Sequence, residues 1–410
     1  MINLAIFIVG LLSSQKINLF GEVFVGEALC GLVLLFNAKA IRVPPGGRLL
    51  LGLLFVWFVA QFASDIINQT EIIKALKGIL VPVFVAIILL GLSTAFYRRY
   101  QYLPIYLLGV FVGLWVSRFL GSEYYASNPW KWGLGSCVAL CFFTWIHFYC
   151  KVYRNVYLLV GAVAFVVVSL ANSSRSMAAF MLLASVLALL SSRIQLLPFY
   201  RRLGASSSGR LQLVGIMLFG VFVADRAMVG LFSFGPFLDL LPLADAAKYS
   251  AQAANEWGAI LGGRTELLVS LEAFGDSPLW GHGSWAENPY YVYSHLDKVD
   301  ASGSLLMDLK AAESNISSYL IPSHSYLMGA VVWGGVFAGL FWLRVLGICV
   351  RGVLCNSILS SPLYMYITIG MLWDILFSPF GADARWMSTL LLWILLSVAE
   401  IESSKKEVVL

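Results

Sequence analysis

Four short polar stretches hold the side chains best suited to chemistry. They are Asn172–Ser173–Ser174–Arg175–Ser176, Gly262–Gly263–Arg264, Ile321–Pro322–Ser323–His324–Ser325–Tyr326 and Pro379–Phe380–Gly381–Ala382–Asp383–Ala384–Arg385. An arginine offers a planar, permanently charged fork that matches phosphate oxygens two at a time. A histidine titrates near neutrality and can exchange a proton with a sugar hydroxyl. Together these types suit a lipid carrying a pyrophosphate, whose leaving group must have its charge held. His282, framed as Gly281–His282–Gly283, is a further candidate. Glu27 and Asp374 lie inside apolar runs, where an acid is costly and implies a buried partner.

Each residue also has a plainer structural role open to it. Arg175 could snorkel to headgroups, Arg264 could cap a helix, and His324 could anchor a helix end at an interface. Arg385 could pair with Asp383 in a solvated turn, and His282 could serve a tight glycine turn. His147 and His295 read as non-catalytic.

The elements that would position these residues follow from composition. Of 410 residues, 60% are apolar and 12% charged, the latter about half the usual share in soluble domains. A soluble fold could not hide so much apolar surface. An ordinary soluble enzyme, a disordered chain and a disulfide-stapled secreted domain are therefore excluded. A porin-type barrel is excluded too, because the apolar runs are continuous and do not alternate. Runs of about 20 residues give twelve expected membrane spans: 2–14, 17–36, 49–67, 72–92, 103–120, 133–150, 155–171, 176–192, 211–233, 322–347, 360–378 and 384–401. The first is short enough for a signal-peptide core, but no small-residue cleavage site follows it, so it is taken as a helix. The chain thus divides into spans over 1–233, a large polar loop over 234–321, further spans over 322–401 and a tail over 402–410.

Basic residues set the sidedness. Fifteen Lys or Arg fall after even-numbered spans and seven in the short connections after odd ones. Both termini are therefore expected in the cytoplasm, and anionic lipid accounts for the net charge of +5 without nucleic acid. The 234–321 loop then faces outward. It carries eleven Asp or Glu against four Lys or Arg. Leu267, Leu268, Leu271 and Phe274 mark a helix in it, and Trp257, Trp280 and Trp285 offer apolar anchors. Trp and Tyr faces can stack on sugar rings, and carboxylates can accept from sugar hydroxyls. Independent structural roles would scatter over both faces, yet all four polar stretches fall on the outward one. The six cysteines lie in or beside apolar segments and read as small apolar residues. Cys137 and Cys141 share a helix face without completing a metal set, and Asp297 and Asp300 miss the Asp–x–Asp spacing, so no metal site is expected.

These residues resemble the O-antigen polymerase and O-antigen ligase family, over about 170–390 for the motifs and over the whole chain for the span layout. Arg264, ten residues, then Gly275 matches the Arg–ten–Gly pattern of the polymerases' outward loops. Pro278–Leu279–Trp280–Gly281–His282–Gly283 is similar to the Pro–x–x–Gly–x–Gly turn that follows it. His324–Ser325, nine residues, then Gly335 is similar to the ligases' His–Asn/Ser/Gln signature, with Ala338 where that signature has Gly, Thr or Tyr. Ser174–Arg175–Ser176 is similar to the family's Ser–Arg motif.

The resemblance implies an all-α polytopic membrane protein of about twelve helices with one large periplasmic loop. It implies a membrane-embedded, GT-C-like, inverting and metal-independent glycosyltransferase in the bacterial inner membrane, with no cofactor. Its donor would be a glycan on undecaprenyl pyrophosphate. Its acceptor would be a second lipid-linked glycan for a polymerase, or a lipid A–core sugar for a ligase; the full Arg–ten–Gly match favours the polymerase. The lipid bilayer and other polysaccharide-assembly proteins would be its partners. Carried over by position, Arg175 and Arg264 would hold the pyrophosphate, and His324 would orient or deprotonate the acceptor hydroxyl. Arg385, His282, Ser325 and Tyr326 would contact substrate. A transporter of lipid-linked glycan and a non-catalytic assembly subunit are the competing classes. The first would show paired halves, which are not seen. The second would tolerate loss of Arg175, Arg264 and His324.

Overall fold

The structure is a computed structural model. It describes residues 1–18, 21–121, 128–150, 154–172, 174–195, 264–301, 319–353 and 360–409 continuously, with scattered positions between 206 and 250 and at 358. About half of the expected span over 211–233 and most of the loop outside 264–301 and 319–321, Trp257 included, lie outside the described residues.

The described chain is almost wholly helical, because long apolar runs can satisfy their backbone groups internally only as helices. In order come α1 (Ile2–Ser13), a hairpin of β1 (Lys16–Asn18) and β2 (Glu22–Phe24), α2 (Val25–Phe36), α3 (Gly47–Ile67), α4 (Ile72–Phe96), α5 (Leu103–Gly121), α6 (Gly135–Phe148), α7 (Arg154–Ala171) and α8 (Arg175–Gln195). After the outer loop's α9 (Thr265–Asp276) and α10 (Pro289–Ala301) follow α11 (Tyr326–Val353), α12 (Pro362–Phe377), α13 (Ala382–Leu396) and α14 (Val398–Val409). Among the described residues, five helical stretches are long and apolar enough to cross a membrane: Gly47–Ile67, Ile72–Phe96, Tyr100–Phe119, Arg154–Ala171 and Tyr326–Val353. A sixth is the pair Ala382–Leu396 and Val398–Ser404, bent by 64°. The protein is thus a helical membrane protein.

Several expected spans differ in form: beside α1 and α2, the 14-residue α6, the apolar Arg175–Leu190 part of α8 and the 16-residue α12 fall short of a crossing's length. Residues 17–36 are no continuous helix: Lys16 and Glu22 pair at 3.1 Å across the β1–β2 hairpin, and helix starts only at Val25. There the Glu27 carboxylate accepts from the Phe24 N–H at 2.9 Å. The 12-residue α1 and α2 are each about 18 Å long, short of the roughly 30 Å hydrocarbon layer. Each packs along a longer helix, α1 on α5 and α2 on α4. A Cβ on Gly109 of α5 would sit 2.2 Å from the Phe7 carbonyl oxygen of α1, so the two backbones meet where only a small residue fits.

The core is aromatic. Trp57 of α3, Phe341 and Trp342 of α11, Tyr326 and Phe380 pack with ring centroids 4.9–6.3 Å apart. The connections separate onto two ends. At one end Arg42 stacks on Tyr97, Tyr100 bonds Glu400, and His147 meets Ser361 and Glu402. At the other Lys16 pairs with Asp383, Asn128 bonds the Asn172 carbonyl, Lys74 pairs with Glu287, and α9 packs on α11. In these contacts, connections after even-numbered expected spans meet one another, and so do those after odd-numbered ones.

Helix α11 is broken. Gly335 has φ 73° and ψ −175° inside it, a left-handed φ that a side chain resists. A Cβ there would lie 2.0 Å from the Leu279 carbonyl oxygen. The turn after α9 fills the break. The N–H groups of His282 and Gly283 donate to the carbonyls of Val332 and Trp333 at 2.8 and 3.0 Å, and Val336 N–H donates to the Pro278 carbonyl at 2.8 Å. The freed backbone groups are thereby satisfied.

Candidate active site

Arg264 immediately precedes α9, and Glu266 sits in the helix's first turn, where an acid is favoured by the helix dipole. The apolar face of α9 places Val269 and Ala273 against Tyr291, Ile321 and Val332. Ser270 Oγ donates to the Pro322 carbonyl at 2.8 Å, so α9 is strapped to the segment that leads to His324. That segment is paired in turn: Ile321 N–H donates to Ala286 O at 3.1 Å and Asn288 N–H to Tyr319 O at 2.8 Å. Helix α10 is held through Glu272, which accepts from Tyr290 Oη at 2.6 Å and from Ser294 Oγ and Lys298 Nζ, each at 3.0 Å. The Tyr290 hydroxyl first, and Lys298 next, hold the Glu272 carboxyl below its ordinary value.

These supports bring His324 Nδ1 to 3.7 Å from Glu266 Oε1, with the histidine side chain 46% exposed and the carboxylate 20%. The distance is too long for a hydrogen bond, so the imidazole keeps capacity for another partner. His295 Nδ1 lies 3.3 Å from Thr265 Oγ1. Burial pushes His295 below the ordinary histidine value; Glu266 opposes that shift, and His324 and Lys298 add to it. The Arg264 guanidinium lies 5.6 Å from the centre of the Trp373 ring, within cation–π reach. Trp373 of α12 packs edge-on against Phe180 of α8 at 5.5 Å. Because α8 starts at half-buried Arg175, Arg264 and the helix that Arg175 opens meet the same aromatic side chain.

The remaining expected contacts have other work. Ser325 is buried; its Oγ donates to the Ile375 carbonyl at 2.7 Å and accepts from Met328 N–H at 3.0 Å. It starts α11 and clamps it to α12. Tyr326 is buried in the aromatic core, and Asp374 of α12 accepts from Ser378 Oγ at 2.6 Å. His282 Nε2 bonds the Ala273 carbonyl at 2.7 Å and its ring abuts Tyr291. Arg385 does not pair with Asp383. Its Nε and Nη2 donate to the two oxygens of buried Glu27 at 2.6 and 2.8 Å, and Nη2 also donates to the Glu22 carbonyl at 2.9 Å. Glu27 and Asp374 thus have the partners that acids in apolar runs demand.

Glu266, His295 and Trp373 escaped sequence reasoning as members of the site. Glu266 stood two residues from Arg264, which was its only signal. His295 lay at an unremarkable helix position, and Trp373 was one tryptophan among thirteen. Among the described residues, no three His, Cys, Asp or Glu side chains come together as a metal set. The chain matches no protein-family model and no curated protein.

Proposed function

We propose that this protein is a membrane-embedded glycosyltransferase. It transfers a glycan from undecaprenyl pyrophosphate to an acceptor sugar hydroxyl at the periplasmic face of the bacterial inner membrane, as O-antigen polymerases do. The observation that carries this is the gathering of Arg264, Glu266, His295 and His324 beside Trp373, at the end of the bundle poor in basic connections. On this proposal the helices make about twelve crossings in a GT-C-like arrangement, with both termini cytoplasmic.

The reaction is a single inverting displacement. The acceptor oxygen forms a bond to the anomeric carbon as the bond from that carbon to the pyrophosphate oxygen breaks, and the electron pair leaves with the pyrophosphate. His324 takes the acceptor proton, Glu266 stabilises the imidazolium, and the proton passes to water. Arg264 and Arg175 hold the charge that grows on the leaving group. Trp373 keeps the Arg264 fork aimed and offers an apolar face at the site.

A ligase would use the same donor and chemistry with a lipid A–core acceptor. The full Arg–ten–Gly match at Arg264 and Gly275, set against Ala338 in the ligase-like signature, supports the polymerase. Arg264, the polymerase-like residue, stands in the site. Deletion in the native host, read as surface polysaccharide on a gel, separates the two. Cores bearing single repeats without long chains are expected. Bare cores with accumulating lipid-linked long chains would make it the ligase, and an unchanged ladder would overturn both.

A further inference from the structure

We propose that Asp65, in the last turn of α3, is a positioning residue for this site; the proposal rests on the glycosyltransferase reading above. Asp65 is a buried carboxylate. It accepts from the Ser284 N–H at 2.6 Å through Oδ1 and from the Ser284 hydroxyl at 2.8 Å through Oδ2. No lysine, arginine or histidine pairs with it among the described residues. A carboxylate in a helix's last turn opposes the helix dipole, and burial adds a desolvation cost. Such a group is tolerated only where specific donors meet it, and both donors here come from one residue of the outer loop.

That residue closes the turn that fills the α11 break. Around it, Gln61 Nε2 donates to Ser284 Oγ at 2.8 Å, Ser64 Oγ donates to the Trp333 carbonyl at 2.6 Å and accepts from Gly283 N–H at 3.1 Å, and Asn68 Nδ2 donates to the Gly281 carbonyl at 3.2 Å. Four side chains at one end of α3 thus grip the turn and the broken helix together, and Asp65 is the charged one. The turn is continuous with the C-terminal end of α9, and His282 bonds back to Ala273. The N-terminal end of α9 carries Arg264 and Glu266, and the N-terminal half of α11 follows His324. Both halves of the site therefore hang on one junction, and Asp65 fixes that junction to the membrane bundle. A junction that slackens separates His324 from Glu266 without removing either.

The test uses the full-length protein in nanodiscs with its host's lipid-linked repeat unit as donor and acceptor. Asp65→Ala is expected to lower kcat by about 10²-fold, the cost of a displacement near 1 Å at a reacting centre, with little change in donor KM. Asp65→Asn should fall between it and the wild type. Asp65→Ala combined with Ser284→Ala should be no worse than Asp65→Ala alone, because the two act as one contact. Hydrogen exchange supplies a readout independent of activity, and Asp65→Asn decides it should Asp65→Ala fail to accumulate. Faster exchange at Ser284 and over 332–336 is expected, with α4 and α5 unchanged. Wild-type kcat in Asp65→Ala alongside inactive His324→Ala, or unchanged exchange in Asp65→Asn, would overturn the positioning role and leave the enzyme reading standing. Activity retained in Arg264→Ala and His324→Ala would overturn the reading and this proposal with it.

Discussion

Two histidine–glutamate pairs stand at opposite ends of the bundle, and they are built differently. The ends are separated by the 16-residue α12, about 24 Å of helix. At one end His147 is closed on both sides: Nε2 lies 3.1 Å from Glu402 Oε1 and Nδ1 lies 2.9 Å from Ser361 Oγ. Only 8% of its side chain is exposed. Ser361 also caps α12 by accepting from Tyr364 N–H at 3.2 Å, and Glu402 accepts from Tyr364 Oη at 2.9 Å. That pair ties α6, α12 and α14 together. At the other end His324 stands 3.7 Å from its glutamate and nearly half exposed, beside an arginine held over an aromatic ring. A saturated pair can only hold helices. An open one can accept a substrate proton. The same two residue types thus serve stability at one end and, on our proposal, chemistry at the other.

The comparison breaks most sharply through the open end. His324→Ala and Arg264→Ala should each lower glycan transfer by about 10²–10⁴-fold, with abundance and insertion unchanged. Arg264→Lys should also be poor, since a point charge does not replace the fork. A ladder assay in a deletion strain reads all three; wild-type ladders from both alanine variants would remove the distinction between the ends. Next in size is the closed end. His147→Ala leaves Ser361 and Glu402 short of a partner and should cost about 1–3 kcal/mol of stability, read as a lower unfolding temperature in detergent with near-normal specific activity. A matched pair of glutamate changes sharpens the contrast. Glu266→Gln should cut turnover about tenfold at unchanged unfolding temperature, and Glu402→Gln should do the reverse.

A smaller effect concerns pH. Burial lowers the folded pKa of His295 below 6.5, so the unfolded chain binds the proton more readily. The resulting penalty is absent above 6.5, grows as pH falls through that value, and levels off below the folded pKa. Unfolding temperature should therefore drop between pH 7.5 and 5.5, and His295→Gln should flatten that drop. The smallest effect belongs to Arg351, exposed on α11 at the His147 end: Arg351→Ala should stay within about 0.5 kcal/mol and keep full activity.

The membrane class and the helical character were legible in the chain, because each sums over many residues. Apolar runs and Lys/Arg counts tolerate local exceptions. The hairpin over 16–24 was not legible, because its apolar residues count toward a span whatever their backbone does. Partnership was decided only by the tertiary structure. Arg385 sits two residues from Asp383 yet binds Glu27, since packing of α13 on α2 and α4 sets a buried fork against a buried carboxylate. Asp65 finds Ser284, and Glu266 finds His324, across helix packings that no spacing encodes. A hydrogen bond depends on tenths of an ångström between elements far apart in the chain, whereas hydropathy depends only on what a stretch of residues contains.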